Sequence, residues 1–97
     1  MTSKQRAYLR SLATHIQPIF QVGKGEISDN MTIQISNALE ARELIKIHVL
    51  DNSEYSPREA AEIIAEETKA EVVTVIGSKA VLFRRSEKSP KIDIDGI

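Results

Sequence analysis

Pro18-Ile19-Phe20-Gln21-Val22-Gly23-Lys24-Gly25-Glu26-Ile27-Ser28 is the stretch on which the fold turns. The short run Ile19 to Val22 reads as a strand that delivers the chain straight into a loop with two glycines. Ser28 then stands where a helix N-cap belongs. Pro18 closes the helix that precedes it, because it lacks the amide and cannot continue the ladder. Strand, glycine loop and helix start in immediate succession predict an α/β chain.

Upstream, Thr2 followed by Gln5 resembles a capping box, and Leu9, Leu12, Ala13 and Ile16 recur at helical spacing, so a first helix runs from about Ser3 to His15. Downstream, Met31, Ile35, Ala38 and Leu39 give one apolar face to a second helix that reaches about Arg42. Ile45-Lys46-Ile47-His48-Val49 alternates apolar with polar, the mark of a strand with one covered and one open face, Lys46 and His48 pointing to the open side. Ser56-Pro57-Arg58-Glu59 combines an N-cap serine, a first-turn proline and a capping-box glutamate, opening a third helix that ends near Thr68. Val72 to Ile76 and Ala80 to Arg85 are β-rich and separated by Gly77-Ser78-Lys79, the composition of a hairpin. The order is α-β-α-β-α-β-β. Right-handed crossovers predict a four-stranded mixed sheet with helices packed on one face of it.

A chain of 97 residues, 41% hydrophobic and 28% charged, suits one domain, placed here at residues 1–86, with residues 87–97 as a mobile polar tail. It holds no cysteine, which leaves no disulfide framework and fits a reducing, cytoplasmic setting. The opening residues lack the apolar run of a signal peptide or membrane span. The net charge of -1 conceals a segregated distribution. From Met1 to Gly25 the charges are Lys4, Arg6, Arg10 and Lys24, with no acid among them, whereas Asp51 to Glu71 is dominated by carboxylates. Local fields of this kind, and not the total, steer a polyanion.

Enzyme signatures are missing. Gly23-Lys24-Gly25 has neither the upstream glycine nor the following serine or threonine of a triphosphate loop, and Ser28 occupies the third position of a dinucleotide fingerprint. Ser78 lacks the second glycine of a nucleophile elbow, and His15 and His48 lack metal-ligand spacing. A non-enzymatic protein without metal or cofactor is expected. What remains is a strand, a basic glycine loop and a helix N-terminus, which together suit a phosphate: glycines admit a close backbone approach, amides donate, and Lys24 adds charge. A second basic element is Lys79 with Arg84 and Arg85, the two arginines necessarily on opposite faces of their strand. Only Tyr8, Phe20, Tyr55 and Phe83 are aromatic, too few for a stacking platform on the strands.

Four ordered segments resemble the CRM domain, named for chloroplast RNA splicing and ribosome maturation. They are Thr2-Ser3-Lys4-Gln5-Arg6-Ala7-Tyr8-Leu9-Arg10-Ser11-Leu12-Ala13, Val22-Gly23-Lys24-Gly25, Ala38-Leu39-Glu40-Ala41-Arg42-Glu43-Leu44-Ile45-Lys46, and Val75-Ile76-Gly77-Ser78 with Val81-Leu82-Phe83-Arg84. The match runs from about Thr2 to Arg85 and is similar to the free-standing bacterial, YhbY-type form. The resemblance implies a fold like that of the C-terminal domain of translation initiation factor three, and RNA binding in precursors of the large ribosomal subunit. It also implies a Gly-x-x-Gly loop comparable to the backbone clamp of KH domains. Gly23, Lys24 and Gly25 fit that loop, and Glu26 stands where the fourth residue is usually glycine. The expected RNA-binding residues are Gly23, Lys24, Gly25, Lys4, Arg6, Arg10, Arg42, Lys46 and Arg84, acting on ribosomal RNA from a monomer. The alternative is an adaptor docking on ribosomal proteins through the acidic third helix at Glu59, Glu62 and Glu66.

Overall fold

Three helix starts in the computed structural model, which describes residues Met1–Ile97, are set by side chains that satisfy the free amides of the first turn. Helix α1 (Ser3–Ala13) opens on a reciprocal capping box, with Gln5 N donating to Thr2 Oγ1 at 3.1 Å and Thr2 N to Gln5 Oε1 at 2.9 Å. Strand β1 (Pro18–Val22) leads through the glycine loop to α2 (Asp29–Arg42), capped by Ser28. Strand β2 (Leu44–Val49) is followed by α3 (Pro57–Thr68), where Ser56 and Glu59 form the second capping box. Strands β3 (Glu71–Ile76) and β4 (Lys79–Phe83) make the closing hairpin.

The sheet order is β1-β2-β4-β3: β1 and β2 are parallel, and β4 lies antiparallel to both β2 and β3. The crossover through α3 skips one position, and the hairpin returns β4 into the gap. This makes β2 and β4 the central strands, which is why they carry the most continuous burial.

Helices cover both faces, not the one face expected. α2 and α3 pack over Ile45, Ile47, Val49, Ala80 and Leu82, with Ile35, Leu39, Ala61 and Ile64 supplying the helical side of that core. α1 packs alone on the opposite face, where Leu9 and Ala13 meet Leu44, Val73, Val81 and Phe83. The reason is in β4: Ala80, Val81, Leu82 and Phe83 are all buried, so both of its faces require cover. α1 is short, and its shelter ends before the sheet does. Lys46 and His48 share the face of Leu44 and are only half-buried, and Gln21, Ile76 and Lys79 at the same end are exposed.

The closing residues also differ from expectation. Residues 87–97 lie against the body because Glu43, fully buried at the end of α2, accepts the backbone amides of Ser86, Lys91 and Ile92, each at 2.7 Å. Glu40 accepts the Ser86 hydroxyl and the amides of Glu87 and Lys88 at 3.1 and 3.2 Å. Ile92 and Ile94 then extend the α1-side core, Gln5 Nε2 donates to Ile94 O at 2.9 Å, and Arg85 pairs with Asp95 at 2.9 Å. Polar composition pointed to a free tail, but two carboxylates and two isoleucines are enough to dock it.

Candidate nucleic-acid interface

The glycine loop leaves the sheet where Leu50 N donates to Val22 O at 2.8 Å. Gly25 sits at φ +96°, a conformation that side chains disfavour, and a Cβ there would meet open space, so backbone geometry alone calls for glycine. Gly23 has no such demand: a Cβ would make ordinary contact with Asn52 Oδ1 and Leu50 Cδ1, both at 3.6 Å. Lys24 is exposed, but so are Glu26 and Asp29, and Ser28 Oγ already accepts Met31 N at 3.1 Å. One cation therefore faces two carboxylates, and part of the helix N-terminus is satisfied from within. The loop by itself is a weak anion site.

A stronger concentration of charge lies at the same end of the sheet. The antiparallel register sets His48 opposite Lys79 and Lys46 opposite Val81, at the end of the sheet from which the glycine loop departs. The last turns of α1 reach this region, so that Arg10 from the helix, Lys46 from β2 and Lys79 from β4 border one cleft with Thr74, Ile76 and Val81. No acid lines it, and α1 contains none. The molecule's one ion pair is Arg85 with Asp95, so all three cations are unpaired. The carboxylates Glu62 and Glu66 are exposed on α3, across the sheet.

The other expected residues separate into two groups. Arg6 and Arg84 hold the fold. The Arg6 guanidinium donates to Val72 O and, at 3.0 Å, to Val73 O, where the register of edge strand β3 shifts and its carbonyls leave the ladder. Arg84 donates to Ser36 Oγ and Thr68 O, both at 2.8 Å, and to Ser36 O at 2.7 Å, tying α2 to the end of α3. It turns away from Lys46 toward α2 and α3, and Arg85, which like Arg84 lies just past the end of β4, turns instead to Asp95 of the tail. Lys4 and Arg42 remain exposed, but Lys4 is in the first turn of α1, about 9 Å along the axis from Arg10. Arg42 borders a separate apolar cleft with Leu12, Ile16, Ile19, Leu44 and Ile92. Lys79 and Ile76 were not among the expected site residues, and the signal that would have placed them is the β2–β4 register.

Three carboxyl groups have lowered pKa values: Glu59, through the Ser56 amide and hydroxyl of its capping box, and two that hold the tail. Glu40 is pulled down to about 2 by the Ser86 hydroxyl and then by the amides of Glu87 and Lys88. Burial pushes Glu43 up, but the amides of Ser86, Ile92 and Lys91 outweigh it and hold the group below the usual carboxylate range. These are structural anchors. No helix is long and apolar enough to cross a membrane.

Residues 1–84 match the family model described as the CRS1 / YhbY (CRM) domain. A Bacillus subtilis protein named "Probable RNA-binding protein YqeI" is 46% identical over 97% of this chain and 98% of its own length. A Haemophilus influenzae protein named "RNA-binding protein" is 34% identical over 92% of this chain and 90% of its own. The solution structure of the hypothetical protein SAV1595 from Staphylococcus aureus superposes with a TM-score of 0.79 at 52% identity, covering 96% of this chain and 97% of that one.

Proposed function

The chain belongs to the CRS1 / YhbY (CRM) domain family, and from that membership we propose that it is a cytoplasmic RNA-binding protein that attaches to ribosomal RNA in precursors of the large ribosomal subunit and performs no chemistry of its own. One observation carries the reading: Arg10, Lys46 and Lys79 converge, unpaired, at the end of the sheet from which the glycine loop bearing Lys24 departs. Cations without internal partners release counterions from a phosphate chain at no cost in broken ion pairs. Gly25 lets the loop backbone approach a phosphate, Gly23 adds a second position without a side chain, and Lys24 adds one contact. Lys4 and Arg42 lie away from this cleft and contribute through the longer-range field. Arg6 and Arg84 serve the interface indirectly, by holding β3 and α2 in place.

The test is binding of the full chain to large-subunit ribosomal RNA fragments over a range of salt, together with its sedimentation with subunit precursors. Affinity falls steeply with salt, and Lys24→Ala and Lys46→Ala each flatten the dependence. Absent or salt-independent binding overturns the reading. The adaptor alternative rests on Glu62 and Glu66, which are exposed and unpaired on α3. If it holds, reversing both charges removes particle association and leaves affinity for naked RNA unchanged.

A further inference from the structure

The cleft between the last turns of α1 and the uncovered end of the sheet has a volume of about 250 Å³. That is below the range of about 300–1,000 Å³ in which whole cofactors are held, and it suits a single base-sized group. Its walls and floor differ in character. The walls carry Arg10, Lys46 and Lys79 from three separate elements, and the floor carries buried Val81 with Ile76, which is 69% exposed. Thr74 also lines the cleft. A duplex backbone is met by cations spread along a surface and has no use for an apolar floor. A single strand presents phosphates and a separable flat apolar base at each step. We propose that this cleft takes one unstacked nucleotide of a single-stranded RNA segment, with its base on Ile76 and Val81 and its flanking phosphates on Arg10, Lys46 and Lys79.

The inference rests on the RNA-binding reading and deepens it, by naming the strandedness of the ligand and an aliphatic base contact. The absence of an aromatic at this place makes Ile76 the decisive residue. Its side chain supports no core, and its exposure next to three cations is accounted for by an apolar partner that carries negative charge.

The experiment compares the full chain with its Arg10→Ala, Lys46→Ala, Lys79→Ala and Ile76→Ser variants on three probes: a randomised pool of short single-stranded RNAs, a duplex of the same length and an abasic strand. Each cation replacement lowers the slope of log affinity against log salt on the single strand by about 0.7. Ile76→Ser weakens single-strand binding about fivefold, the lower end of what a base contact is worth, without altering the slope. On the abasic strand Ile76→Ser binds as the parent does. RNA binding that is retained with Ile76→Ser neutral, or equal affinity for duplex, overturns the cleft inference and leaves the RNA-binding reading standing. Failure of the parent chain to bind any of these probes, or large-subunit ribosomal RNA, overturns both. Binding of an acidic peptide with the same dependence on all four residues overturns the inference in favour of a protein ligand.

Discussion

Replacing Glu43 with alanine removes the anchor of residues 86–92 and should be the most damaging single change outside the apolar cores. Its carboxylate accepts three backbone amides at 2.7 Å from a fully buried position. A hydrogen bond to a charged acceptor contributes about 1.5–3 kcal/mol, so three of them set the upper limit. The freed segment can swing into water and re-solvate its amides, which brings the expected loss nearer 3 kcal/mol. In a domain of this size that corresponds to a fall of roughly 15 °C in Tm. A second variant isolates the backbone contribution. Glu43 occupies φ +67°, where glycine is at ease and alanine is not, so Glu43→Gly should recover about 1 kcal/mol of what Glu43→Ala loses while leaving the tail equally free. Urea unfolding gives the stabilities, and amide exchange at Ser86, Lys91 and Ile92 reports the anchor directly. If Glu43→Ala costs less than about 1 kcal/mol and those amides keep their parental protection, the carboxylate is not what holds the tail.

The same anchor gives a pH dependence with a definite sign. Glu40 and Glu43 both lie below the ordinary value of 4.5, so their contribution is complete above that pH and is lost as pH falls below it, for Glu40 through about 2; the protection of the Ser86 amide, relative to its intrinsic exchange rate, should fall over that acid window and stay flat from pH 5 to 8. Arg6→Ala, which strips two carbonyls of their donor, should cost about 1–3 kcal/mol in unfolding experiments, whereas exposed Arg10→Ala should stay within about 0.5 kcal/mol and lose RNA affinity instead. The reverse pattern would exchange their roles. In the loop, Gly25→Ala should destabilise by about 1–2 kcal/mol through φ alone, since nothing lies near its Cβ. Glu26→Gly should tighten RNA binding if the loop backbone meets a phosphate, and unchanged affinity would move the main contact wholly to the cleft.

The element order was legible because each helix start is written locally. Thr2 with Gln5, Ser28, and Ser56 with Pro57 and Glu59 act within one turn, and the structure reproduces those starts. The strand expected to reach Arg85 ends at Phe83, and the two arginines diverge because Arg84 is held by Ser36 and Thr68 and Arg85 by Asp95. What required the fold were contacts between distant parts of the chain. Nothing near Arg6 announces the displaced carbonyls of Val72 and Val73, and nothing near Arg84 announces Ser36. Both read as free surface charge. Glu43 falls at the close of an amphipathic helix, where a carboxylate is unfavourable to the dipole, and only the returning amides explain it. The cleft was partly legible: Arg10 and Lys46 were expected at the interface, but their meeting with Lys79 and Ile76 depends on which strand lies beside β2.

That strand order also constrains how the molecule can come into being. β4 is the last of the four strands in chain order and the one that joins the other three into a sheet. Without residues 79–83, β2 keeps β1 as its only neighbour, one of its edges is unpaired, and β3 has no neighbour. Assembly is therefore a late, single event governed by distant pairings, slower than for a protein whose neighbours in space are neighbours in sequence. A chain cut at the β3–β4 turn leaves the inner edge of β2 unpaired, and an open strand edge is a template for aggregation.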